Sequence, residues 1–178
     1  NRPADVNKMV FMVWKHVEQD DNRWMFLPAL DLVKRIASTE KRTSFVGYDF
    51  FYEDVSGRNI TEDKHTLLET SKNFFVIENI PKDPDSVEFS SFKMWVHRQT
   101  FITVKVEYYD KTGEQYRVYE ALKVDNIQGY PTVVMARMKN LKGGETVIEY
   151  SNVKYDIGLP ETIFTERYLK RVPRKYLR

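Results

Sequence analysis

The second half of the chain alternates. From Thr100 to Tyr109, Ile102, Val104, Val106 and Tyr108 fall on one side of an extended chain, with Thr103, Lys105 and Glu107 on the other. A period of two predicts a half-buried strand. Asp110-Lys-Thr-Gly113 then predicts a hairpin turn, its glycine free to take the positive φ such turns require. Gln115 to Val124 reads as the return strand, and Gly129-Tyr-Pro131 breaks it. Thr132 to Lys139 is a further strand, turned by Asn140-Leu-Lys-Gly-Gly144 into Glu145 to Tyr155. The pattern is an antiparallel meander.

The first half is less regular. Met9 to Val17 is apolar and rich in β-formers, Asp20-Asp-Asn22 is a turn, and Arg23 to Leu27 runs back. Leu32 to Ala37 predicts a short strand. Phe74 to Ile80 and Phe92 to His97 predict two more, separated by the loop Pro81-Lys-Asp-Pro84-Asp-Ser. Helical periodicity is scarce. Thr162 to Lys170 predicts one short C-terminal helix, with Pro160 before it and Glu161 near the positive end of its dipole. Ser44 to Val55 suits either a loop or a turn of helix.

About nine strands and almost no helix predict a mainly β fold, a single curved antiparallel sheet or half-barrel with few short helices. A one-layer sheet has an apolar face that something must cover. Either the sheet closes on itself, or a segment outside this chain covers it, or the concave face holds a ligand. No repeat, low-complexity stretch or linker divides residues 1–178, so a single domain is expected.

One block departs from the strand grammar. Trp24-Met-Phe-Leu-Pro28-Ala-Leu30 runs through Arg35-Ile-Ala37-Ser to Ser44-Phe-Val-Gly47-Tyr-Asp49-Phe-Phe-Tyr-Glu-Asp54. Trp24, Phe26, Phe45, Tyr48, Phe50, Phe51 and Tyr52 crowd together among charges, which fits the wall or lid of an apolar space. Aromatic rings supply contact area at low entropic cost, and the flexible Met9, Met12, Met25, Met94, Met135 and Met138 would suit adaptable packing, in a core or around a cargo.

Composition narrows the partners. The net charge of +2, from 28 basic against 26 acidic residues, gives little pull toward nucleic acid, and no nucleic-acid partner is expected. A basic cluster spans Arg167 to Arg178, read as a solvated tail or as a contact for anionic lipid. Cysteine is absent, which removes disulfide and thiol chemistry. No apolar run approaches the roughly 20 residues of a membrane helix. The chain starts at Asn1, consistent with removal of a leader.

Catalytic and metal chemistry finds little support. His16, His65 and His97 stand at no metal-ligand spacing. Asp20-Asp21 reads as a turn, not an ion pair for a divalent cation. Asp49, Glu53 and Asp54 could pair for acid–base work, but no nucleophile or oxyanion element lies near them in sequence. No catalytic residue, metal or cofactor is assigned. Lys34-Arg35 and Lys41-Arg42 flank the aromatic block, either on a solvated strand face or with Arg35 or Arg42 at a cavity rim, meeting a headgroup phosphate or a backbone carbonyl.

Three blocks together resemble the outer-membrane lipoprotein-sorting protein family, a LolA-like group of bacterial envelope proteins. They are the aromatic block from Trp24 to Asp54, the hairpin Val104-Lys-Val-Glu-Tyr-Tyr-Asp-Lys-Thr-Gly113, and Tyr155-Asp-Ile-Gly-Leu-Pro160 followed by Phe164-Thr-Glu-Arg-Tyr-Leu169. The resemblance spans nearly the whole chain but starts partway into the family pattern, whose leader, helix and first strands are expected to be missing from it. It implies a half-barrel around an apolar cavity, and a non-enzymatic periplasmic carrier or chaperone for the acyl chains of lipoproteins or lipids. An inner-membrane transporter and an outer-membrane acceptor would be further partners of such a carrier. No binding residue is transferred from the lipoprotein carrier itself. The cavity candidates come from this chain: Trp24, Phe26, Leu27, Leu30, Phe45, Phe50, Tyr52 and Trp95, with Arg35 and Arg42 at the rim. The competing readings are an envelope interaction module that pairs through a sheet edge, and an enzyme acting on an envelope lipid.

Overall fold

The structure, a computed structural model, describes residues 6–171 and 173. Much of the basic C-terminal cluster, including Arg174, Lys175 and Arg178, lies outside the described residues. Among the described residues the architecture is antiparallel β with two five-residue α-helices, the class the sequence predicts, and its strands are shared between two open sheets.

The smaller sheet has three strands in sequence order, β1 (Val10–Trp14), β2 (Asn22–Leu27) and β3 (Leu32–Ile36). Next comes helix α1 (Tyr52–Ser56), then a seven-stranded meander. Its strands are β4 (Asp63–Thr70), β5 (Phe74–Pro81), β6 (Phe89–His97), β7 (Thr103–Asp110), β8 (Gln115–Ile127), β9 (Tyr130–Asn140) and β10 (Glu145–Glu149). Helix α2 (Glu166–Lys170) follows a single 3-10 turn at Glu161–Ile163, so the predicted C-terminal helix is split.

Strand β4 is absent from the sequence reading. It is the edge of the large sheet, exposed from Lys64 to Thr70, and a register shift between Leu67 and Glu69 interrupts its alternation. Similar shifts mark the β6–β7, β7–β8 and β8–β9 pairings. Each extra residue bends the strand that carries it. Pro131 lies inside β9 instead of ending a strand. It pairs with Asn126 of β8 where β10, which begins opposite Lys139 and ends opposite Met135, no longer runs alongside. A proline with no second neighbour breaks no ladder bond. The strand expected to reach Tyr155 ends at Glu149. Asn152 takes φ 57°, and Tyr155 turns back to exchange hydrogen bonds with Gln128.

Registers define the inner face of the large sheet. One row is His65, Asn79, Phe92, Tyr108 and Arg117; the next is Ile77, Met94, Val106, Tyr119 and Met138. The core under this face is Val87, Phe89, Phe92 and Val106, with Met94, Tyr108, Tyr116 and Tyr119 packed on it. The small sheet packs side chains on both its faces. Met12 and Trp24 pack with Leu169 of α2 on one side, joined by Val10, Phe26 and Val33. On the other side, Phe11 meets Phe45 and Tyr52 at ring separations of 5.3 and 5.7 Å.

A five-residue helix such as α2 has no stability of its own, so it is held by what it buries. Leu169 is 3% exposed, and the Trp14 indole N–H donates to the Phe164 carbonyl at 2.9 Å just ahead of it. Leu169→Ala is expected to destabilise the protein by about 2–4 kcal/mol. Urea unfolding followed by tryptophan emission, which reports on Trp24 beneath the helix, checks this.

Candidate functional site

The segment from Lys41 to Asp63 joins the two sheets and covers the inner face of the larger one. Ser44 and Phe51 form an isolated bridge, the Phe45 N–H donates to the Phe50 carbonyl at 2.7 Å, and α1 follows, so the stretch read as loop or helix is both. The Asp54 carboxylate accepts from the Phe51 N–H at 2.7 Å at the start of α1, and Gly57 leaves the helix at φ 78°. Hydrogen bonds anchor the segment to the small sheet and the loop after β1. Lys15 donates to the Gly57 carbonyl (2.8 Å), Arg23 to the Ser56 hydroxyl (3.0 Å) and Asn59 to the His16 carbonyl (2.8 Å). Asp49 anchors it to β10 by accepting from the Thr146 hydroxyl at 2.8 Å.

Between cover and sheet lies a buried ionic network. Glu53, 1% exposed, accepts from Arg42 at 2.8 Å and from Arg58 at 3.2 Å, with the Lys41 ammonium 3.5 Å away. Arg58 also grips Asp63 through two bonds of 2.8 and 3.0 Å. Arg42 reaches Glu88 with two nitrogens. Burial disfavours the charge on both partners, yet their contact prevails: the Arg42 pKa is raised, and that of Glu88 falls below the usual carboxylate value. Arg117, 2% exposed on β8, pairs with Asp54, donates to the Asp49 carbonyl at 2.8 Å and stacks 3.9 Å from the Phe51 ring. Arg42 and Arg58 lie over the fully buried Phe89 ring at 5.0 and 5.3 Å.

Beside this network the covering segment and the sheet leave a cavity of about 350 Å³. Its apolar wall is Phe50, Phe92, Met94, Val106, Tyr119 and Met138, and Arg42, Glu53, Asp54, Arg58, Asp63, His65 and Asn79 form a polar end. Val55, Ile60 and Tyr150, all exposed, also border it. That volume is at the small end of ligand pockets, which run from roughly 300 to 1,000 Å³.

The residues singled out from sequence are scattered over the molecule. Phe50 and Arg42 line the cavity. Trp24 and Phe26 belong to the α2 cluster of the small sheet, and Phe45 and Tyr52 to the aromatic group on its other face. Leu27 ends β2, and Leu30 is exposed in the turn that follows. Trp95 sits on the outer face of the large sheet, opposite Met94, with the Lys105 ammonium 4.9 Å over its ring. Arg35 is exposed, 6.0 Å from the Trp24 ring and 3.3 Å from the Asn22 side-chain oxygen. Arg42 is bound within the network. Sequence reading missed Arg58, Asp63, Glu88 and Arg117. A signal existed for Arg117 alone, as an arginine standing between Tyr116 and Val118 in a strand.

His65 is held between two acceptors at the cavity. Asn79 spends its amide N–H groups on the carbonyls of Ile77 and Phe92 (3.1 and 3.2 Å), which turns its oxygen toward His65 Nδ1 at 2.6 Å. His65 Nε2 faces the Ile60 carbonyl at 2.8 Å. Only the imidazolium can donate to both. The Asn79 bond, then the Ile60 bond, and nearby Asp63 raise its pKa against slight desolvation and Lys82. A folded-state pKa above the unfolded value contributes stability that is complete below about pH 6.5 and is lost as pH rises through the folded value. The urea midpoint should therefore fall with rising pH more in the wild type than in His65→Gln, and an NMR titration should place His65 above 6.5.

Among the described residues no group of His, Asp and Glu side chains is arranged to hold a metal, and no helix is long and apolar enough to cross a membrane.

Residues 1–171 match a family model described only as an uncharacterised protein. A search of curated proteins gives no match. Among solved structures, a DUF1329 family protein from Desulfovibrio piger is 32% identical, with a TM-score of 0.81 over 94% of this chain and 73% of its own. A domain assigned to outer membrane lipoprotein sorting from Vibrio parahaemolyticus is 30% identical, with a TM-score of 0.85 over 96% of this chain and 74% of its own. A LolA superfamily protein from Nitrosomonas europaea is 27% identical, with a TM-score of 0.59 over 83% of this chain and 67% of its own. Open antiparallel sheets around a partly filled inner face define a protein of the LolA-like class. The chain belongs to the family of these relatives, which includes the DUF1329 protein from Desulfovibrio and the lipoprotein-sorting domain from Vibrio.

Proposed function

We propose that this protein is a non-enzymatic carrier or chaperone of the bacterial periplasm. It takes an acyl chain of a lipoprotein or lipid into the inner cavity and moves it toward the outer membrane. One observation supports the reading above all: the large sheet keeps about 350 Å³ beside Phe50, Phe92, Met94 and Met138 that its own covering segment does not fill. The Vibrio relative's assignment to lipoprotein sorting points the same way. An inner-membrane transporter as donor and an outer-membrane acceptor fit this role.

Each methylene removed from water is worth about 0.8 kcal/mol, so a chain of about 14 methylenes gains on the order of 11 kcal/mol gross. Hydrocarbon burial alone therefore retains a cargo. A carrier must also release, which favours a small open cavity over a deep one. Native mass spectrometry of protein purified from cell envelopes, with solvent extraction of the same sample, tests the reading. Bound acyl lipid supports it; protein that is clean in both, and takes up no lipid when reconstituted, removes it.

Strand β4 favours a second reading. It is an outer edge of the large sheet with Leu67 and Leu68 exposed, a place where another protein's strand can pair. A pull-down that returns specific envelope proteins from lipid-free protein, and loses them when Leu67 is replaced by proline, would support an interaction module.

A further inference from the structure

We propose that the cavity prefers acyl cargo with an uncharged polar head and disfavours free fatty acids and other anionic single-chain lipids. This rests on the carrier reading and specifies its cargo.

The cations that line the cavity among the described residues are Arg42, Arg58 and His65. None is available to an incoming anion. Arg42 is taken by Glu88 on one edge and by Glu53 at 2.8 Å on the other. Arg58 is taken by Asp63, Glu53 and Glu62, the last at 2.7 Å. Both His65 nitrogens face acceptors. The same wall carries the carboxylates of Glu53, Asp54 and Asp63. Asp54 is matched by Arg117, Asp63 by Arg58, and Glu53 by Arg42, Arg58 and Lys41, so the charges of this wall are balanced among themselves and leave no cation in excess. A fatty-acid carboxylate drawn into this space must displace an existing partner or lie unpaired beside like charge, and an unpaired buried charge is costly.

The polar groups that are free point to the opposite chemistry. Thr103, Tyr108 and Tyr119 line the cavity, and their hydroxyls make no hydrogen bond to the described residues. Burial raises the pKa of both tyrosines, so the phenols stay neutral. A hydroxyl both donates and accepts, and it suits an ester, an amide or a glycerol hydroxyl without needing a counter-charge. Hydrocarbon against Met94 and Met138, with a neutral head toward these hydroxyls, is the occupant the wall matches.

The test uses delipidated full-length protein and an uncharged fluorescent probe, N-phenyl-1-naphthylamine, displaced at pH 8 by 1-monolauroylglycerol or by laurate. The two competitors share one chain length and differ at the head. Monolauroylglycerol should displace the probe at a free monomer concentration at least about tenfold below that of laurate. Glu88→Gln, which removes a carboxylate from Arg42 at a partly exposed position, should narrow the gap several-fold by improving laurate. Equal or stronger displacement by laurate overturns the preference and leaves the carrier reading standing. A gap that Glu88→Gln leaves untouched overturns the electrostatic basis. Failure of both competitors against a bound probe overturns the preference and the carrier reading together.

Discussion

Glu53→Ala is expected to lower the free energy of unfolding by about 3–5 kcal/mol, the cost of breaking a buried ion pair from one side. The Glu53 side chain is 1% exposed and serves Arg42, Arg58 and Lys41. All three cations are themselves largely shielded from water, so removing the shared carboxylate leaves positive charge facing positive charge where water cannot screen it. The loss should appear in urea melts as a lower midpoint with an unchanged slope, since the surface exposed on unfolding hardly changes. Glu53→Gln keeps the shape and the acceptor oxygen while removing the charge, and should cost less, about 1.5–3 kcal/mol. A loss below about 1 kcal/mol for the alanine variant would mean that these pairs behave like exposed ones, and that the cover is held by apolar contacts.

The network also answers the question posed by the sequence. A one-layer sheet needs a cover, and the three possibilities were closure, an outside segment or a ligand. The chain supplies a cover of its own, and it does so with charged residues as much as with rings. Lys41, Arg42, Glu53 and Asp54 read in sequence as solvated or acid–base residues because each is flanked by other polar positions. Their partners Glu88 and Arg117 come from the loop before β6 and from β8, and no local pattern links positions so far apart. Burying such groups is seldom the most stabilising option, since hydrophobic replacements often do as well. What the ions add is register: bidentate Arg58–Asp63 and Arg42–Glu88 pairs fix where the segment sits on the sheet.

The meander was legible because alternation survives in it. From β7 to β9 the buried positions follow the period of two closely enough that Val106, Val134, Ala136 and Met138 are recoverable from sequence. Strand β4 was not legible because edge exposure removes the selection for alternation and the bulge at Leu68 shifts what remains. The aromatic block was visible as a block but not as three separate sites. Trp24 and Phe26 share one face of β2, whereas Phe45 and Phe50 sit in a segment whose path depends on Asp49, Asp54 and Arg117. Side-chain destinations in an irregular segment follow from tertiary anchors, and sequence spacing does not encode them.

Met94→Trp is the substitution expected to separate folding from cargo binding. Met94 is half-buried on the inner face of β6, in the cavity wall, with Ile77 and Val106 as its cross-strand neighbours. An indole there occupies space that is otherwise open instead of displacing packed atoms, so the stability cost should stay within the roughly 1–3 kcal/mol of moderate overpacking. Retention of acyl lipid should fall by tenfold or more, because a ring lying across Phe92 and Met138 takes up the volume an alkyl chain needs. Met94→Ala should act oppositely, enlarging the space and tolerating longer chains at a cost of about 2–3 kcal/mol in stability. Lipid content measured by extraction, beside urea midpoints for both variants, separates the outcomes. Undiminished lipid in a folded Met94→Trp protein would place the cargo elsewhere, and the groove beside Val10, Met12, Phe164 and Leu169, about 250 Å³, would become the site to fill next.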